Sequence, residues 1–167
     1  MGKDDQNLYS IEARLAEMGL ILPEPVQVPP DVKLPFVMVR VLGTRAIVSG
    51  HGPQNPDGTL AGPFGKVGGS VTVEEAYRSA RLVALSILGS LKRELGSLDR
   101  VNNWVKVLGM VNSAPDFQQQ PAVINGFSDL ILELYGAERG RHARSAVGMA
   151  ELPFNIPVEI EAEVEIR

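Results

Sequence analysis

The chain has 167 residues, of which 44 % are apolar and 22 % are charged, and its net charge at neutral pH is −4. This length and balance predict one globular domain that needs neither a metal nor a disulfide to stay folded. The absence of cysteine excludes disulfides, thiolate catalysis and Cys-ligated zinc, and it suits a reducing compartment. The acidic balance, with no run of Lys or Arg, argues against a protein whose main task is gripping nucleic-acid backbone.

Residues 1–7 contain no apolar core of the kind that a signal peptide requires. No apolar stretch of the sequence approaches the roughly 20 residues that a membrane-spanning helix needs. Both observations lead us to expect a cytoplasmic protein with no membrane partner.

A short helix is predicted over residues 8–19, with Ser10 as its N-cap and Gly19 as its end. The apolar side chains Ile11, Leu15 and Met18 share one face of this helix. The next segment, residues 23–35, contains five prolines, which favour extended backbone over helix. We therefore divide the chain into an N-terminal helix and proline-rich extension, residues 1–34, and a single domain, residues 35–167.

Two β-rich runs, residues 36–42 and 45–49, flank a predicted turn at Gly43-Thr44 and form a predicted hairpin. Residues 50–69 are rich in Gly and Pro and are predicted to form a loop. A loop of this length within a compact domain is often functional. A lone histidine in it, His51, is either a surface residue or a proton carrier near neutral pH.

The clearest pattern in the chain predicts a helix over residues 73–95. Thr72 and Glu75 form a capping box at its start, and Gly96 ends it. The apolar stripe of this helix consists of Ala76, Ala80, Val83, Ala84, Ile87, Leu88, Leu91 and Leu95.

A strand over residues 101–111, which carries Trp104, is followed by a second long helix over residues 118–135. Pro121 stands in its first turn, and Gly136 is predicted to end it. The inward-facing residues of this helix are predicted to be Ile124, Phe127, Ile131 and Leu134.

The chain closes with two predicted strands, residues 143–150 and 157–167, which form a predicted hairpin. In the second strand, apolar residues alternate strictly with four glutamates, so that one face is buried and the other is acidic. The order of elements predicts an α+β fold in which two long helices pack on one face of a mixed sheet.

The run of residues 143–153, continued by residues 158–162, resembles the closing signature of the RidA (YjgF) family of reactive-intermediate deaminases. Further matches are Leu42-Gly43 leading into Ser49-Gly50, the helix opening at Thr72, and Val123-Ile124-Asn125. The resemblance covers about residues 35–167. It implies a chorismate-mutase-like fold and a homotrimer with sites in the clefts between subunits. The implied reaction is hydrolysis of enamines and imines, such as 2-aminoacrylate, to 2-keto acids and ammonia, without a cofactor.

Within this resemblance, Arg144 stands where the family arginine binds the substrate carboxylate, and Glu159 where a glutamate positions the attacking water. A guanidinium is suited to its role because it meets a carboxylate with two parallel hydrogen bonds, and a carboxylate can act as a general base. Asn125 matches an asparagine that is structural or borders the site. Phe36 replaces a tyrosine near the entrance, and Ala146 replaces a frequent cysteine.

The sequence alone is also compatible with structural roles for Arg144 and Glu159. Arg144 is also compatible with a strand arginine paired to the acidic face of the neighbouring strand. Glu159 is also compatible with membership of a solvated glutamate stripe.

The function has alternatives as well. The family pattern is changed at Phe36 and Ala146, and also at Gly148, where a glutamate is common in the family. These departures motivate a non-catalytic trimer that binds small carboxylate metabolites. An endoribonuclease, an activity credited to some family members, ranks last because of the acidic composition.

Overall fold

A computed structural model describes residues 10–167 of the chain. The elements in chain order are α1 (Ile11–Glu17), β1 (Val39–Leu42), β2 (Arg45–His51), α2 (Val73–Leu95), β3 (Val101–Asn112), α3 (Gln120–Gly140), β4 (Ala143–Met149) and β5 (Val158–Ile166). Short 3-10 turns at Leu98–Arg100 and Pro153–Asn155 precede β3 and β5.

The five strands form one sheet in the order β1-β2-β5-β3-β4. All neighbours are antiparallel except β3 and β4, which run parallel. A parallel pair cannot be joined by a tight turn, and here the connection is the helix α3. The prediction that the last two strands form a hairpin is therefore wrong, because β3 lies between β4 and β5.

The two long helices pack on one face of this mixed sheet, which confirms the predicted α+β architecture. All eight residues of the predicted α2 stripe are buried, and so are the four inward-facing residues predicted for α3. Trp104 on β3 lies in this core, with its ring edge-on to Phe127 at 5.6 Å and to Tyr135 at 5.8 Å between centroids. The opposite face of the sheet, which we call the open face, is not covered by any described element.

Two glycines permit the close approach of α3 to its neighbours. A Cβ at Gly109 of β3 would lie 2.5 Å from Cγ1 of Ile124. A Cβ at Gly126 of α3 would overlap the backbone carbonyl of Tyr77 on α2. Since real Cβ atoms do not approach other atoms so closely, both positions require glycine as long as the packing is kept.

The N-terminal helix packs on the same core. Ser10 caps it by accepting a hydrogen bond from the Ala13 amide at 3.1 Å, and Ile11 and Leu15 are buried as predicted. Met18 is 39 % exposed, so its predicted place on the buried face is wrong; it follows the last helical residue, where the chain turns away. Residues 8 and 9, part of the predicted helix, lie outside the described residues.

Several helices and strands begin or end at residues other than those predicted from the sequence. Strand β1, which follows the proline-rich connector of residues 23–35, begins at Val39, three residues later than predicted. Gly136, with φ of 74°, interrupts α3 but does not end it, since a further turn continues to Gly140. The predicted capping box of α2 is present, and the segment between β2 and α2 is irregular as predicted.

Within residues 10–167, no helix is long and apolar enough to cross a bilayer.

Candidate functional site

Arg144 lies on the edge strand β4, level with Val107 of β3, and both side chains are directed to the helix-covered face. Its Nη1 donates hydrogen bonds to Oδ1 of Asn125 at 2.9 Å and to Oγ of Ser128 at 3.1 Å. Its Nη2 contacts the Pro121 carbonyl at 3.5 Å. These acceptors all belong to α3, and all of them are neutral.

The alternative interpretation of Arg144, a structural ion pair with the glutamates of β5, is not what the structure shows. No ion pair within residues 10–167 includes Arg144. The guanidinium is held in place by neutral groups, and its charge is not neutralised by a described carboxylate within bonding distance. An arginine arranged in this way is ready to bind an anion.

A histidine completes the support of this arginine. His142 Nδ1 lies 2.8 Å from the Gly140 carbonyl, which can only accept, so the proton is placed on Nδ1. Nε2 then accepts from the Ser128 hydroxyl at 2.9 Å, which leaves the Ser128 oxygen lone pairs for Arg144. Burial lowers the pKa of His142 and the charge of Arg144 lowers it further, against the opposing effect of the Gly140 bond, so the ring is held neutral.

These residues border a pocket of about 240 Å³ whose lining consists of Ser128, Leu132, Arg141, His142 and Arg144. Two guanidinium groups and no carboxylate line it, which favours a negatively charged ligand. We call Arg144, Asn125, Ser128, Arg141 and His142 the Arg144 cluster. Three of its members, Ser128, Arg141 and His142, were missed by sequence reasoning. The three arginines and one histidine within residues 139–144, where α3 leads into β4, were the signal that could have drawn attention to the last two.

Glu159 lies elsewhere. On β5 it is level with Met110 of β3, and therefore it points to the open face. Its carboxylate packs directly on Gly50 and leaves no room for a Cβ there. Partial burial raises the pKa of Glu159, and the neighbouring charge of Glu161 raises it further. Among the described residues it has no hydrogen-bond partner, so both carboxylate oxygens are available to bind water.

Gly50 belongs to an irregularity of β2 between Val48 and His51 that breaks the regular pairing with β5. The adjacent Ser49 hydroxyl donates to the Val37 carbonyl at 2.7 Å and fixes the segment that carries Phe36, whose side chain is 54 % exposed. We call Glu159, Gly50, Ser49 and Phe36 the Glu159 cluster.

The predicted site residues therefore separate into two groups. Asn125 and Arg144 are in contact, and Ala146 lies two residues along β4 on the same face, partly buried against the core. Phe36 precedes β1, the opposite edge strand, which is roughly 19 Å from β4 at four strand spacings.

His51 belongs to neither cluster. It is 2 % exposed, lies under α2 and bonds to Ser90 there. Its sequence interpretation as a surface loop residue is wrong, because β2 extends to His51 and turns its ring into the interior.

Comparison with known proteins gives consistent matches over nearly the whole chain. Residues 12–161 match the family described as "YjgF/chorismate_mutase-like, putative endoribonuclease". The Trypanosoma cruzi protein TCP17 is 41 % identical over 157 residues, which cover 94 % of this chain and 94 % of that protein.

Two solved structures are similar in both sequence and fold. The protein Atu1372 of Agrobacterium tumefaciens, described as of unknown function, is 43 % identical with a TM-score of 0.81, over 94 % of this chain and 92 % of that one. A protein of Shewanella oneidensis MR-1 described as a putative endoribonuclease is 28 % identical with a TM-score of 0.83, over 95 % of this chain and 100 % of that one.

Proposed function

Because the chain belongs to the YjgF/chorismate-mutase-like family, we propose that it is a RidA-type deaminase that hydrolyses reactive 2-imino acids to 2-keto acids and ammonia. The observation that carries this proposal is the state of Arg144. Its guanidinium is held by neutral acceptors on α3, faces a pocket of about 240 Å³, and has no ion-pair partner among the described residues. A 2-imino acid offers the carboxylate that such a group binds.

In the proposed reaction, Arg144 holds the substrate carboxylate and Glu159 accepts a proton from water. The oxygen of that water forms a bond to the imine carbon as the C=N double bond opens and the nitrogen takes up a proton from solvent. The hydroxyl group of the resulting carbinolamine then loses its proton as the carbonyl forms and the C–N bond breaks. The products are a 2-keto acid and ammonia, and the proton held by Glu159 is returned to the leaving nitrogen. A raised pKa makes Glu159 a stronger base than an ordinary glutamate, which suits this role.

One copy of the chain does not bring these two residues together, so the proposed site needs a second copy. The open face of the sheet carries exposed apolar side chains, including Leu42, Ile47 and Val147. Covering them by association would remove this apolar surface from water. We place the site between subunits of a homotrimer, where the Arg144 cluster of one copy meets the Glu159 cluster of its neighbour.

The remaining predicted residues then have distinct roles. Asn125 and Ser128 would position Arg144 through their hydrogen bonds to its guanidinium. Phe36 would border the entrance as an apolar wall. Ala146, half-buried beside Arg144, would contribute backbone and volume.

The test is a coupled assay in which a pyridoxal-phosphate enzyme generates 2-aminoacrylate and release of the 2-keto acid is followed. The parent protein should accelerate this release, and Arg144→Ala should abolish the acceleration. Arg78→Ala, an exposed arginine on α2, is the matched control and should behave as the parent. Full activity in a folded Arg144→Ala protein would refute the proposal.

A second candidate is a trimer that binds small carboxylates without turnover. It is favoured by one observation: every residue that lines the Arg144 pocket comes from one chain, whereas water activation depends on Glu159 on the other face of the sheet. Binding of a 2-keto acid by folded protein that shows no acceleration in the coupled assay would select this candidate.

Endoribonuclease activity is the third candidate, since the family description and the Shewanella protein carry that word. The net charge of −4 and the acidic strand β5 oppose binding to an RNA backbone, which is held through positively charged groups.

A further inference from the structure

A second cavity lies at the other edge of the fold, between the proline-rich connector, β1 and α2. Its volume is about 380 Å³, within the range of roughly 300–1,000 Å³ that is usual for small-ligand sites. Val26 and Leu34 of the connector contribute to its apolar wall, and Ser90, Arg93 and Glu94 of α2 to its polar wall. Neither the Arg144 cluster nor the Glu159 cluster contributes a residue to it.

Arg93 is held in this cavity by neutral acceptors, as Arg144 is in its own pocket. Its Nη1 donates to the Pro23 carbonyl at 2.9 Å, and its Nη2 to Oγ of Ser90 at 3.2 Å. A guanidinium has five N–H donors, so these two bonds leave donors for a ligand. Within residues 10–167 Arg93 forms no ion pair. Burial lowers the pKa of Arg93, and the nearby charge of Glu24 opposes this effect.

The group that positions Arg93 repeats the arrangement around Arg144. The Ser90 hydroxyl donates to Nε2 of the buried His51 at 2.8 Å, and Nδ1 of His51 donates to the Ser49 carbonyl at 2.6 Å. In both places an arginine donates to a helix serine, the serine to a histidine, and the histidine to the carbonyl two residues before it. The two relays use α2 in one case and α3 in the other.

The relay is suited to holding Arg93 rather than to making Ser90 a nucleophile. Burial lowers the pKa of His51 to about 4, and the charge of Arg93 lowers it as well, with the Ser49 bond opposing. A base this weak removes a serine proton poorly at neutral pH. The neutral ring instead accepts from Ser90, which keeps the serine lone pairs directed at Arg93.

From this geometry we propose that the cavity is a second ligand site, which binds a small monocarboxylate with an apolar body. Arg93 would hold the carboxylate, and the wall formed by Val26 and Leu34 would contact the hydrocarbon part. A single negative charge fits better than a phosphate dianion, because Glu94 also borders the cavity and would repel the additional charge. Since the wall includes the connector, the bound ligand would tie residues 23–34 to α2.

The test is titration calorimetry with isovalerate, using the uncharged isovaleramide as the isosteric comparison. The measured protein is full-length Arg144→Ala, which lacks the first anchor, so that remaining binding reports the second site. We expect isovalerate to bind and isovaleramide to bind ~10–100-fold more weakly, the range for hydrogen bonds to a charged group. Adding Arg93→Met should weaken isovalerate binding by a similar factor, and adding Glu94→Gln should tighten it.

A further variant tests the site independently in case Arg93→Met does not fold. Val26→Trp changes a partly exposed connector residue, keeps Arg93, and fills the cavity, so isovalerate binding should be lost. Absence of binding in the Arg144→Ala protein would overturn the proposal, as would binding that survives in Arg93→Met or in Val26→Trp. The coupled assay separates this outcome from the proposed deaminase. Arg93→Met made in the protein that keeps Arg144 should retain deaminase activity.

Discussion

Arg144 and Glu159 are directed to opposite faces of the same sheet, and β3 lies between their strands. Arg144 is level with Val107, whose side chain is buried under the helices, and Glu159 is level with Met110, three residues further along β3. Their Cα atoms are therefore roughly 14 Å apart, from two strand spacings and three residues of extended chain. A shared reaction at these two residues requires two copies of the chain.

This requirement can be tested by mixing two inactive variants, Arg144→Ala and Glu159→Gln. If they are refolded together in equal amounts, about one quarter of the sites should combine an intact Arg144 with an intact Glu159 from the neighbour. The coupled assay should then recover about one quarter of the parent activity. Each variant refolded alone is the control and should remain inactive. No recovery from a mixture shown to have exchanged subunits would rule out a site shared in this way.

The pH dependence of the reaction should follow the ionisation of the Glu159 carboxylate. The base must be deprotonated, so activity falls as pH falls through its pKa, and burial and Glu161 place that pKa above the usual value of 4.5. Glu161→Gln should therefore move the acid limb of the kcat/KM profile to lower pH while activity is kept. Glu163→Gln, whose carboxylate is bonded to Arg45, is the matched control and should leave the limb unmoved. An acid limb that Glu161→Gln leaves in place would argue against Glu159 as the base.

Stability should fall as the pH is lowered through the range in which His51 titrates when unfolded. The folded pKa of His51 is lowered from 6.5 to about 4, so between these values the unfolded chain binds a proton that the folded chain does not. Its contribution is complete above pH 6.5 and is lost as the pH falls towards about 4, with a total of about 3 kcal/mol.

Urea unfolding of the parent and of His51→Gln at pH 7.5 and pH 5.5 measures this effect. His51→Gln should be less stable at the higher pH but should lose less stability on acidification. A residual loss remains because the pKa of His142 is also lowered by burial. Parallel pH dependences for the parent and His51→Gln would contradict the prediction.

The packing of α3 on the sheet should be sensitive to a single methyl group at Gly109. In Gly109→Ala the new Cβ would meet three side-chain carbons of Ile124 at 2.5, 2.6 and 2.7 Å, so the helix must shift. We expect a loss of ~1–3 kcal/mol in the free energy of unfolding, measured in urea. The double variant Gly109→Ala/Ile124→Ala removes the clash and should show a smaller loss than the two single changes summed. Additive losses would mean that the two residues are not in contact.

Arg144→Lys distinguishes charge from geometry at the candidate site. Lysine keeps the positive charge but lacks the planar fork that bonds Asn125, Ser128 and a carboxylate together. We expect kcat/KM to fall ~10-fold or more, with part of the activity of the parent retained relative to Arg144→Ala. Activity equal to the parent would show that a point charge suffices.

Much of the fold could be predicted from the sequence because the patterns that specify it involve residues close together in the chain. The capping box of Thr72 and Glu75, the apolar stripe of α2 and the alternation of β5 each depend on neighbours a few residues away, and the structure confirms all three. The family resemblance, carried by residues 143–153 and 158–162, predicted the fold that the comparisons support.

The partner of β4 was decided by the tertiary structure. Alternation within a strand specifies which side chains share a face, but not which strand lies alongside, because pairing joins residues far apart in sequence. Proximity in sequence suggested a hairpin of the last two strands, whereas β4 pairs with β3 through the α3 crossover. That single pairing places β3 between the strands that carry Arg144 and Glu159.

The sequence by itself determined the order of the main helices and strands, the buried faces of α2, α3 and β5, and the identity of the residues that resemble a reactive site. Only the tertiary structure decided that Arg144 faces the helices while Glu159 faces outward, and that His51 and His142 each support an arginine through a serine. These relations depend on register and on contacts between elements far apart in the chain. Periodicity over a few residues does not contain that information, since side-chain contacts across a fold form only when the elements are packed together.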